Sequence, residues 1–133
     1  MQYEEFITHV QSLALSDSRV EAERATRATL ETIQERIPAD EVQALAEQLP
    51  IELKNYLETS QGQPGQIFNL QEFINRTSQK ENIEPTTAAI HVRAVFAVLQ
   101  NAVVPEKFAS FHAYFSHDYE ELFTSASSSE ITT

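Results

Sequence analysis

Histidines and arginines are the residues of this chain with the most chemistry to offer. The sequence holds four histidines and no cysteine. His112 and His117 are five positions apart across a predicted helix break, with Asp118, Glu120 and Glu121 beside them. Imidazoles next to carboxylates are the raw material of a metal site or of acid–base chemistry. Two ligands on one helix face need i, i+4 spacing, which this pair lacks. Solvated side chains at a partly exposed helix end explain the cluster better. His91 lies off the main apolar stripe of its helix, close to Arg93. His9 stands one turn after Glu5, an ordinary surface pairing.

Arg27 and Arg93 occupy matching places in two similar stretches. They read either as a symmetric pair of anion- or partner-binding arginines or as local ion pairs, Arg27 with Glu23 or Glu31. Phe108, Phe111, Phe115, Tyr119 and Phe123 could line a ligand pocket, but their spacing is also that of a core-facing helix. The candidate partner or ligand contacts are therefore Arg27, Arg93, His91, Tyr114, His112 and His117. No catalytic, cofactor-binding or metal-ligating residue is predicted. The chain has no glycine-rich phosphate loop, and no Ser or Lys sits in a recognisable nucleophile setting.

The elements that must position these residues come from a duplication. Ala22–Ile33 (AERATRATLETI) and Ala88–Leu99 (AAIHVRAVFAVL) align at a register of sixty-six, matching Arg27 with Arg93 and Leu30 with Phe96. Apolar spacing predicts a helix over Tyr3–Ala14 through Phe6, Val10 and Leu13. A second follows to about Ile37, opened by a Ser18/Glu21 capping box and burying Ala22, Thr26, Leu30, Ile33 and Ile37. Shorter helices over Asp40–Leu49 and Ile51–Glu58 complete the first half, with Pro38 and Pro50 at their starts. Thr59–Gln66 (TSQGQPGQ) holds both glycines and is the only convincing internal linker.

The second half repeats the order. Asn69 and Glu72 cap a helix carrying Phe73 and Ile74, and Pro85 opens a long helix to about Asn101. Pro105 opens a seventh, and Ser116 caps a short eighth with Tyr119, Leu122 and Phe123. The fold class is all-α: two tandem four-helix repeats, residues 3–58 and 67–123, packed into a single helical bundle. Residues 124–133 are small and polar and are expected to be disordered. The second long helix is apolar on its flanks (Ile90, Val95, Val98), where the first has Arg24, Thr29 and Thr32. It should therefore be the central, buried element.

Composition narrows the function. A net charge of −11 with interleaved basic residues repels nucleic acid and anionic lipid surfaces. The longest apolar run is far short of a membrane span, and nothing at the N-terminus resembles a signal peptide. A soluble cytoplasmic protein is expected.

The doubled pattern, carried by YEEFITHV, EAERATRATLETIQERI with EQLPIEL, FNLQEFINR, HVRAVFAVL and YEELF, resembles bacterial domain of unknown function family 2267. The resemblance spans Tyr3 to Phe123. It departs at Tyr114–His117, where YFSH stands in place of the family's repeated Leu-Pro. It implies a two-repeat helical fold and supplies no activity, cofactor or catalytic residue. The expected function is a non-enzymatic module binding another protein, or itself, through a helix face. The alternatives are a small-molecule binder or enzyme with a pocket between the repeats, and a structural homo-oligomer.

Overall fold

In the computed structural model, residues 1–123 are described, and they contain helices and no strand. The expected disordered tail lies outside these residues. The helices are α1 (Tyr3–Leu13), α2 (Arg19–Arg36), α3 (Ala39–Ala46), α4 (Ile51–Glu58), α5 (Leu70–Glu81), α6 (Pro85–Ala102) and α7 (Pro105–His112). A 3-10 turn over His117–Tyr119 leads into helical residues 120–123. The eighth helix thus begins as a tighter turn than its spacing suggests.

Local signals set these boundaries. Ser18 Oγ accepts from the Glu21 amide at 3.0 Å, and Asn69 Oδ1 from the Glu72 amide at 2.9 Å. Each satisfies an amide that a helix start leaves orphaned. The reciprocal arm of the Ser18 box is missing because the Glu21 carboxylate turns to Ser16 and His91. Pro85 and Pro105 sit in the first turns of their helices, while Pro38 and Pro50 are N-caps.

Helices α2 and α6 begin and end sixty-six positions apart, as do α3 and α7. α1 and α5 begin sixty-seven positions apart, and the turns that close them share that offset. Leu15 and Asn82 both adopt left-handed backbone (φ 54° and 58°). Leu15 N donates to Ser12 O and Ser16 N to Gln11 O; Asn82 N donates to Gln79 O and Ile83 N to Ser78 O. One turn geometry therefore closes both helices. Asn tolerates the left-handed region, whereas Leu is strained there.

A single cluster of buried apolar residues runs from Phe6 through Leu30, Phe73 and Phe96 to Phe123. α2 packs on α5 and α6, α1 on α6, and α3 on α7, so the core is assembled across the midpoint of the chain. The expectation that the second long helix is the central element, set apart by its apolar flanks, is corrected here, since Thr29 and Thr32 on the flank of the first are buried too. Every residue buried on α6, from Ala88 to Leu99, has a counterpart sixty-six positions earlier that is buried on α2. α2 achieves this with threonines whose hydroxyls bond back into the helix: Thr26 to Ala22 O at 2.8 Å and Thr32 to Ala28 O at 2.9 Å. A hydroxyl so occupied can be buried at modest cost. Thr77 Oγ1 on α5 also donates to Thr32 Oγ1 at 3.1 Å, a polar bridge between the halves. Two predicted core positions face outward instead: Leu13 is 53% exposed and Ile90 is 46% exposed.

The linker is tied down along the end of α2. Gly65 N donates to Ile37 O at 2.8 Å, Gln66 N to Glu35 O at 2.9 Å, and Gln34 Nε2 to Gly62 O at 2.9 Å. Arg36, buried at the last turn of α2, donates to Phe68 O at 3.1 Å and lies over the Phe115 and Tyr119 rings, 5.3 Å from each centroid. Tyr119 OH reaches the same carbonyl at 2.7 Å, and Asp118 accepts from Leu70 N at 2.6 Å. The 3-10 turn is thereby latched to Phe68 and Leu70, at the start of α5.

Candidate functional site

The seam where α2 meets α5 brings charged groups of both halves to one concave place. Arg24, Arg27 and Glu31 line its α2 side, Lys80 and Glu81 its α5 side, and Ala28 its floor; the groove encloses about 310 Å³. Helical periodicity places Arg24, Arg27, Ala28 and Glu31 on one face. The small Ala28 side chain leaves the depression between the helices. Arg27 pairs with Glu31 at 3.1 Å and lies over the Tyr56 ring, and Lys80 pairs with Glu35 at 3.1 Å. Among the described residues, Arg24 alone of these cations makes no hydrogen bond or ion pair.

Behind the groove wall, His91 is 2% exposed. Its Nδ1 lies 2.9 and 3.0 Å from the two Glu81 oxygens, and its Nε2 lies 3.4 Å from Glu21. Burial works against a charged imidazole here. The hydrogen bond and charge of Glu81, reinforced by Glu21, more than offset it, so His91 holds its proton above the usual imidazole range. The triad joins α2, α5 and α6.

The other predicted residues lie elsewhere. Arg93 is exposed and reaches Glu121 at 3.4 Å, beside a shallow groove of α5 and α6. His112 stacks on Phe123, centroids 3.9 Å apart, and pairs with Glu120 at 2.8 Å on the wall of a groove of about 400 Å³ floored by Phe108. His117 and Tyr114 are exposed and line neither groove. Arg27 and His91 are therefore brought to one region, while Arg93, Tyr114, His112 and His117 are not. Of the two ion pairings expected for Arg27, Glu31 is the one formed. Among the described residues, no group of three or more His, Asp or Glu could hold a metal ion.

Sequence reasoning missed Arg24, Lys80, Glu81 and the buried Arg36. Arg24 was within reach, one turn before Arg27. Glu81 and Lys80 meet α2 only through tertiary packing, which no local spacing encodes.

With that geometry in view, the chain belongs to the family described as uncharacterized conserved protein (DUF2267), whose model matches residues 3–122. No curated protein matches the chain. Among the described residues, no helix is long and apolar enough to cross a membrane.

Proposed function

We propose that this chain is a non-enzymatic, cytoplasmic binding module, made of two tandem four-helix repeats packed into one body, and that its working surface is the seam between them. The repeat reading rests on the shared helix boundaries, the matched burial of α2 and α6, and the shared turn at Leu15 and Asn82. The function rests on one observation: residues of both halves form the walls of a single groove, and one of its cations is unspent. A cation with no internal partner on a concave surface suits an acidic group brought by a partner protein. A net charge of −11 disfavours nucleic acid and anionic membranes as that partner.

The second reading, a small-molecule pocket between the repeats, draws on the same groove. Affinity capture with the wild type and an Arg24→Glu/Lys80→Glu variant tests both. Mass spectrometry of the co-purifying proteins and metabolites then identifies the class of ligand. The seam reading expects the specific partner to be lost from the variant. A partner retained equally by both proteins would move the surface elsewhere.

A further inference from the structure

The groove at the seam has a charge balance that one proton changes. Three of the chain's nine basic residues stand on it, in a protein of net charge −11. Glu31 pairs with Arg27, and Glu35 is shared between Lys80 and Arg76, while Arg24 has no ion pair. The remaining charge on the wall belongs to Glu81, whose carboxylate is nearly buried and held from behind by His91.

We propose that the groove takes a small oxyanion, a phosphate, sulfate or carboxylate group, on Arg24 with Arg27 and Lys80, and that the His91–Glu81 pair ties its occupancy to pH. This rests on the seam being the binding surface. With His91 protonated, a cation shared with Glu21 offsets the Glu81 charge from behind, and the three cations lining the groove outweigh its two carboxylates. As pH rises through the titration of His91, the ring turns neutral and Glu81 becomes an uncompensated negative charge on the wall. The oxyanion is then held less strongly, so affinity falls with rising pH. Arg and Lys side chains stay charged throughout this window.

The charged groups facing the pair are few. Glu21 comes from α2 and Glu81 from α5. Beyond Glu81 lie Arg24, Arg27 and Glu31 of α2 and Lys80 of α5, with Glu35 shared between Lys80 and Arg76. Arg93, on α6 itself, is engaged by Glu121. Among the described residues, α1 and α7, the other helices packed on α6, bring no charged side chain into contact with His91.

Sodium sulfate is the probe of choice because it does not titrate in this range, with acetate as a second arm for a carboxylate ligand. Amide NMR shifts are followed on the acid and the alkaline side of the His91 titration, at matched ionic strength. Shifts are expected around Arg24, Arg27 and Lys80, with binding roughly three- to tenfold weaker at the higher pH, the effect of one uncompensated charge on a half-open site. Arg24→Gln/Lys80→Gln should abolish the shifts, and His91→Gln, which removes the titrating group, should make the two affinities equal. By linkage, saturating sulfate should raise the pH at which His91 titrates in the wild type, a readout that needs no variant. Binding that is equal at both pH values, or an unmoved His91 midpoint, would overturn the pH tie while leaving the anion site standing. Absence of wild-type binding by either anion at both pH values would overturn the site itself.

Discussion

α2 and α6 bury the same positions with different chemistry. Where α6 carries Val92, Val95 and Val98, α2 carries Thr26, Thr29 and Thr32, and all six side chains are buried. Threonine and valine have nearly the same shape. The hydroxyl is tolerated when it bonds the carbonyl one turn back, as Thr26 and Thr32 do. A helix that looks polar on one flank can thus be as central as one that looks apolar all round. Among the positions buried on α2, the two helices diverge in kind at two places. Position 25 is a small alanine on α2, while its counterpart is His91, clamped by carboxylates. Arg36 is buried on α2, while its counterpart, Ala102, is only partly buried.

The hardest way to break the comparison is to place a charge on the shared flank. Val98 is 1% exposed, so Val98→Asp should cost roughly 3–5 kcal/mol and unfold much of the population at ordinary temperature. Circular dichroism melting checks this, and light scattering separates unfolding from dissociation. A folded variant of wild-type mass and stability would mean that α6 is not buried on this flank.

Arg36→Met probes a place where the halves differ. It keeps the volume but removes the bond to Phe68 O and the cation over Phe115 and Tyr119. A loss of about 2 kcal/mol, read as a lower urea midpoint, is expected.

The smallest effects should be gains. Thr29 Oγ1 is buried without a hydrogen-bond partner among the described residues. Thr29→Val installs the residue that α6 already has at Val95, and should stabilise by about 1 kcal/mol, a rise of roughly 4 °C in melting temperature. Leu15→Asn installs the residue of the equivalent turn. Leu15 is 92% exposed, so nothing is lost in packing, while the left-handed strain is relieved; about 1 kcal/mol is expected. Stability unchanged by Leu15→Asn would mean that the two turns are not energetically equivalent.

Much of this fold was legible before any coordinates. The helix order, the prolines at helix starts, the Ser18 and Asn69 caps and most of the apolar core follow from spacing and cap chemistry alone. The buried flank of α2 was not, because Thr29 and Thr32 score as polar while packing like valine. His91 was read as off the apolar stripe, and so it is, but the seam covers that face as well. The site was less legible than the fold. Arg27 could be singled out from its match with Arg93, yet its neighbours Lys80 and Glu81 arrive from a helix some fifty residues later in the chain. Leu13, in phase with a stripe, and Ile90, on a flank, show the converse error, apolar residues that lie just beyond the buried face.

The central claim is that α2 and α6 are equally buried members of one core built across the two halves. Native-state amide hydrogen exchange measures this helix by helix, since amides in the core open only with global unfolding. Interior amides of α2, around Thr29 to Ile33, and of α6, around Val95 to Leu99, should exchange with the same free energy, equal to that of global unfolding. Exchange from α2 at a clearly lower free energy than from α6 would contradict the account, leaving α6 alone at the centre and α2 as a peripheral helix.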